Sequence, residues 1–169
     1  MGLAQLLAPI VLLTERSNFM YIKTIEYTDY SGNKRKEDFY FNLSKAEIME
    51  MELSKEGGFD QWITRIANAQ NTPELVKLFK SLILMSYGER SLDGKAFYKK
   101  DPQTGRPLCE EFEQTAAYPV LFMELATNTE AATEFINKVI PEDAAEAIDK
   151  AKADGSLDEV TSKIYPLSK

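Results

Sequence analysis

The stretch "GERSLDGK" (residues 88–95) sets two glycines and a lysine in the rough order of a phosphate-binding loop. A nucleotide cradle of the G-x-x-x-x-G-K-[ST] type needs four residues between its glycines, a hydroxyl after the lysine, a strand before it and a helix after it. Here Gly88 and Gly94 enclose five residues, Ala96 stands where the magnesium-binding hydroxyl belongs, and a helical pattern precedes the loop. The reading that remains is local. Gly88 caps a helix, Ser91-Leu92-Asp93-Gly94 is a turn, and "KAFYKK" is a short extended segment or a small hairpin. Glu110, Glu111 and Glu113 could do acid–base work or hold a metal. Equally they form a solvated acidic first turn, where the helix dipole favours negative charge, and the sequence favours that. Asp29 and Asp101 lack the regular oxygen ligands and terminal Glu of a calcium loop. Lys99 and Lys100 could touch phosphate, but in an acidic chain they read as a solvated turn. Cys109 is the one cysteine and there is no histidine. The commonest nucleophile–base pair and the commonest metal ligand are therefore missing.

The elements that must position these residues come from a chain of 169 residues, enough for one domain. Apolar residues make up 44%, and nine Phe and eight Tyr can supply a core. The net charge of −7 argues against a nucleic-acid or anionic-membrane surface, which needs clustered Lys and Arg. It suits a soluble protein or one that docks on a basic partner. A single cysteine forms no internal disulfide.

Residues 1–19 stand apart. The apolar run Leu3–Leu13 is too short to span a bilayer, and neither a basic n-region nor a small-residue cleavage site is visible. The segment reads either as a helix packing on the domain or as translated upstream sequence. Glu15-Arg16-Ser17 can be encoded by GAA-AGG-AGT, a purine-rich ribosome-binding signal placed just before Met20. Other codons at 15–17 would sink the second reading; if it holds, the segment is weakly ordered.

From Met20 the pattern is β. "MYIKTIEYTDY" puts Tyr21, Lys23, Ile25 and Tyr27 on one face and Ile22, Thr24, Glu26 and Thr28 on the other. "YSGN" supplies a turn, with Gly32 and Asn33 able to take positive φ, and "KRKEDFYFNL" returns as the second strand. Ser44-Lys45-Ala46-Glu47 is a capping box that opens a helix with Ile48, Met51 and Leu53 inward, stopped by Gly57-Gly58. The sequon Asn42-Leu43-Ser44 is better read as part of this cap. A second helix runs from about Phe59 to Gln70. A third, from Pro73 with Thr72 as N-cap, carries Leu75, Leu78, Phe79 and Leu82 on one stripe and Val76, Ile83 and Tyr87 on a second; it is the central helix of the core. From Pro107 to about Thr127 one stripe is Leu108, Phe112, Thr115 or Ala116, Pro119, Met123 and Ala126, and another is Tyr118, Leu121 and Leu125. Pro119 kinks this helix or splits it in two. Asn128-Thr129-Glu130 starts the next helix, which ends before Pro141. Met49, Met51, Met85 and Met123 read as fillers of core gaps, with an adaptable binding groove as the alternative. The acidic tail 142–169 is partly helical and reads as mobile or partner-dependent. The whole is an α+β domain, mostly α: an N-terminal hairpin (20–43) packed on a bundle of about five helices (44–141), with no legible active site. That favours binding or assembly.

Three stretches, "YTDYSGNKRKEDFYFNLSKAEIMEME", "SYGERSLDGKAFYKK" and "EFEQTAAYPVLFMELATNTEAATEFINKVIP", together resemble the tail assembly chaperones of long non-contractile-tailed phages (siphophages) of Gram-positive bacteria. The resemblance covers roughly residues 20–141. It implies a non-enzymatic protein of the host bacterial cytoplasm with no cofactor or metal. It implies that the chain binds the helical, aggregation-prone tape measure protein, helps tail tube protein assemble around it, and is absent from the mature virion. Self-association is left open. The stripe Tyr118, Leu121 and Leu125, with Phe122 nearby, is the candidate partner-binding surface, its alternative role being internal core. The competing functions are a minor structural protein of the tail and, less favoured, an enzyme or small regulator.

Overall fold

A computed structural model of the chain describes residues 20–54, 58 and 72–141. The expected helix 59–70, the segment 1–19 and the tail 142–169 lie outside the described residues. The fold is α+β. In chain order it runs β1 (Tyr21–Thr28), β2 (Lys34–Phe41), α1 (Lys45–Ser54), α2 (Thr72–Ser86), β3 (Tyr87–Arg90), β4 (Phe97–Tyr98), α3 (Leu108–Gln114), α4 (Ala117–Thr127) and α5 (Thr129–Val139).

The hairpin forms as the alternation predicts. Tyr21 pairs with Phe41 and Thr28 with Lys34 in unbroken antiparallel register. Tyr21, Ile25, Phe39 and Phe41 join the core, so the face read from the sequence is the buried one. Its turn is held by Asp29. The carboxylate accepts from the backbone N–H of Ser31 and of Asn33, both at 2.9 Å, and from Arg35 Nε at 2.6 Å. Gly32 alone takes positive φ in this turn (84°); Asn33 does not.

The sheet is larger than a hairpin. It has four strands in the order β1-β2-β3-β4, all antiparallel. β3 follows α2 without a connector, because Ser86 and Tyr87 are captured by β2. Asn42 N donates to Ser86 O at 2.8 Å, and Tyr40 and Phe41 pair with Gly88 and Tyr87. Gly88 is therefore a strand residue and not a helix cap. A Cβ there would stand 2.5 Å from the Tyr98 carbonyl oxygen and 2.6 Å from the Phe97 ring, so only glycine fits where β3 and β4 meet.

The capping box is present at α1: Ser44 N donates to Glu47 Oε2 at 2.8 Å, and Glu47 N to Ser44 Oγ at 3.1 Å. The helix expected over 107–127 is split. Thr115 is extended (ψ 155°), ending α3 four residues before Pro119. A proline ring clashes with the carbonyl four residues back, so Thr115 leaves the helix and Pro119 falls in the first turn of α4, where its missing N–H costs nothing. The break changes the helical phase. Leu108 and Phe112 are buried, but Met123 is 57% exposed and Pro119 and Ala126 face outward with it. Met123 thus departs from the reading as core filler, whereas Met51 is buried and Met49 and Met85 pack against the core. Asn128 caps α5, its Oδ1 accepting from Ala131 N at 3.1 Å.

An aromatic cluster joins the layers. Tyr87 stacks on Phe112 at 4.2 Å, and Phe41 meets Phe112 and Phe135 edge-on at 5.8 and 5.3 Å. Burial of such rings is each worth about 2–3 kcal/mol and fixes how the helices sit on the sheet.

Candidate protein-interaction surface

Most of the residues that suggested chemistry are turned to structural use. In the loop after β3, Asp93 Oδ1 accepts from Lys95 N at 3.0 Å and from Ser91 Oγ at 2.7 Å, and Ser91 Oγ accepts from Ala96 N at 2.9 Å. The backbone N–H groups of Ser91, Gly94, Lys95 and Ala96 already donate to the chain's own oxygens. Asp101 does the same in the next loop, accepting from Gln103 N and Thr104 N. Lys99 is not a solvated turn residue. Its Nζ donates to the carbonyls of Asn42 (2.7 Å) and Met85 (2.6 Å) and pairs with Glu47 Oε1 at 3.1 Å. Burial lowers its pKa, and the Glu47 carboxylate pulls it back up. Burial, with Glu110 adding, pushes the Cys109 thiol up, away from the reactive thiolate. Of the three clustered glutamates, Glu110 and Glu111 are exposed and Glu113 pairs with Lys80. No group of acidic or thiol side chains among the described residues could hold a metal ion. No helix among them is long and apolar enough to cross a membrane.

What the surface offers instead is α4. In a chain that is 28% charged, Glu124 is the one charged residue of this helix, and it is spent on Lys23 of β1 at 2.6 Å. Ala117, Leu121 and Leu125 are buried under it. The opposite side is still apolar: Val120 is 41% and Met123 57% exposed, with Pro119, Ala126 and Thr127 also outward. A helix apolar all round ordinarily sits inside a protein; this one has a solvent face.

The four residues singled out from the sequence do not share a position. Leu121 and Leu125 are floor, 0% and 4% exposed. Tyr118 and Phe122 are half-buried at the edge of the core. They continue the aromatic cluster outward, Phe112 to Tyr118 edge-on at 5.8 Å and Tyr118 to Phe122 at 6.0 Å. Burial raises the Tyr118 pKa; Lys80 opposes this and Glu113 adds to it, which places the Lys80–Glu113 ion pair at the rim of the same flank. Met123 reads as core in the sequence because the stripe from Leu108 runs straight through the break; Val120 falls on neither stripe.

These features describe an α+β domain that presents a bare apolar helix face and no assembled catalytic or metal-binding group among its described residues. The chain belongs to the phage tail assembly chaperone family, whose model matches residues 20–167. The match runs past Pro141, where the resemblance read from the sequence stopped. No curated protein and no solved structure matches the chain.

Proposed function

We propose that this tail assembly chaperone holds a helix of the tape measure protein against the flank of α4 formed by Tyr118, Phe122, Pro119 and Met123, with Leu121 and Leu125 as the floor that keeps the flank in place. The observation that carries the reading is the uncharged, exposed face of α4 in an acidic chain of this family. An amphipathic helix is recognised by such a strip through apolar anchors at helical spacing, and a methionine adapts to an irregular partner. The Lys80–Glu113 pair beside it provides a polar rim. In this reading the protein acts in the host bacterial cytoplasm of a siphophage of Gram-positive bacteria. It keeps the tape measure protein soluble, promotes assembly of tail tube protein around it, and leaves before the virion matures. No cofactor takes part.

Co-expression with the neighbouring tape measure gene product followed by co-purification tests this. The wild-type chain is expected to bind and solubilise it. Met123→Lys is expected to weaken binding at least tenfold, about 1.4 kcal/mol, while its thermal melt stays within about 0.5 kcal/mol of wild type, since the side chain is on the surface. A wild-type chain that neither binds nor solubilises the tape measure protein overturns the proposal. Abundant recovery of the chain from purified virions, by mass spectrometry, would favour the second reading, a minor structural protein of the tail.

A further inference from the structure

The two edges of the sheet are treated differently. The β4 edge is blunted: the strand is two residues long, Lys99 turns inward from its end, and the Lys100–Pro107 bridge closes the following loop beside it. The β1 edge is not. It is eight residues long, without proline, glycine or bulge, and both its charges are engaged within the chain, Lys23 with Glu124 and Glu26 with Lys36. Natural sheets guard an edge of that length with charge, proline or a bulge unless something pairs with it.

The backbone groups left over can be named. Asp29 N donates to Asn33 O, so residues 29 and 33 face one another, and alternation makes Tyr27, Ile25, Lys23 and Tyr21 the residues bonded to β2. Asn42 N bonding Ser86 O fixes the same phase on the far side of β2. Ile22, Thr24, Glu26 and Thr28 therefore direct their N–H and C=O groups away from the sheet. Among the described residues nothing hydrogen-bonds to them. Their side chains are exposed as well, Ile22 at 49%.

We infer that β1 pairs with β1 of a second copy of this chain, antiparallel about a two-fold axis at Ile25. Three observations select this occupant. First, the register closes on itself. It sets Ile22 opposite Thr28 and Thr24 opposite Glu26 of the second copy, so every outward group from 22 to 28 finds a partner. Sliding by two residues toward the turn would set Glu26 against Glu26. Secondly, no like charges meet head-on. Lys23 falls opposite Tyr27 of the second copy, whose hydroxyl is bonded to Glu37, while Lys23 and Asp29 keep their own ion pairs with Glu124 and Arg35. Thirdly, the flank of α4 next to β1 joins the contact. At about 100° per residue, Glu124 stands between the buried stripe and Val120, and Glu124 touches β1. Val120 and Thr127 thus lie over the edge and meet their counterparts across the axis, on a strip with no unpaired charge. On a chain of net charge −7, a locally neutral strip is where two copies can approach. Tyr118 and Phe122 stand on the other flank, toward α3, and stay free.

Sedimentation equilibrium of the full chain is expected to give a dimer. Thr24→Pro deletes an outward N–H at a position where an edge strand accepts proline; it is expected to keep the wild-type circular dichroism and raise the dimer dissociation constant at least tenfold. Should that variant fail to fold, Val120→Lys with Thr127→Lys leaves the strand intact and is expected to weaken the dimer as much. Amide exchange of Ile22, Thr24, Glu26 and Thr28 should slow with increasing protein concentration. A wild-type chain that stays monomeric up to its solubility limit overturns the inference, and so does a dimer that survives both sets of substitutions. Protection of these four amides only when a tail protein is added overturns it in favour of a foreign strand. Met123→Lys should leave the dimer unchanged, which separates this contact from tape measure binding.

Discussion

Three aspartates show how single side chains set the loops of this domain. Asp29, Asp93 and Asp101 each accept backbone N–H groups from the residues that follow, and each is followed by a glycine at positive φ: Gly32, Gly94 and Gly105. Short acidic side chains are favoured there because they imitate a backbone turn. The Asp29 carboxyl is the most perturbed. The hydrogen bond from Arg35, followed by that from Asn33 N, lowers its pKa from 3.8 to about 2. A lowered carboxyl pKa contributes stability above the unfolded value, and that contribution is lost as pH falls through the folded one. The hairpin turn should therefore hold down to pH 3.8 and loosen between there and about 2. An NMR titration of the Asp29 side chain and the Gly32 amide will follow it. Arg35→Leu is expected to move the midpoint up toward 3.8, and an unchanged midpoint would refute the assigned cause. Lys99 belongs to the same scale: one ammonium gathers the end of β2, the end of α2 and the start of α1. Nothing in "FYKK" signals this, since its acceptors lie 57 and 14 residues away in the chain.

At the scale of elements, what the chain spelled locally was legible and what depended on distant partners was not. The β1–β2 hairpin, the Ser44 capping box and the Asn128 start of α5 each follow from a few adjacent residues. β3 does not. Ile83 and Tyr87 keep helical spacing, and only pairing with Tyr40 and Phe41 turns the chain into a strand at Tyr87. The same limit governed the surface. Pro119 announced a break, but its position at Thr115 and the change of phase it imposes moved Met123 outward and left Leu121 and Leu125 inside. The junction of β3 and β4 gives a test at this scale. Gly88→Ala places a methyl against the Tyr98 carbonyl, a backbone atom that cannot swing aside. It should cost about 1–3 kcal/mol in urea unfolding. A neutral result would mean that β4 is not held where the sheet places it.

For the whole molecule, the distribution of surfaces matters more than any one residue. The core face of the sheet and the buried stripes of α2, α4 and α5 build one cluster. Two features lie at its margin, the α4 flank with Tyr118 and Phe122 and the edge of β1. If both proposals hold, a two-fold dimer carries two partner-binding flanks on one assembly. A partner with repeated helical segments then meets two sites at once, and the second contact forms at the effective concentration set by the first. Binding measured with a dimer should accordingly be tighter than with the Thr24→Pro monomer. Equal apparent affinities would show that the flanks act alone.

The hairpin has one more consequence. Lys34 to Asp38 are exposed throughout, and Tyr30 at the tip is 83% exposed, so between Ile25 and Phe39 the ribbon has no buried residue. A two-stranded ribbon without a packed face is only marginally stable. Here Asp29–Arg35, Glu26–Lys36, Tyr27–Glu37 and Thr24–Asp38 rivet it, all of them polar and in solvent. Such rivets are weakened by salt, while the apolar anchorage at Tyr21, Ile25, Phe39 and Phe41 is not. The ribbon is thus a zipper whose lower teeth are oil and whose upper teeth are charge, and ionic strength sets how far it opens from the tip.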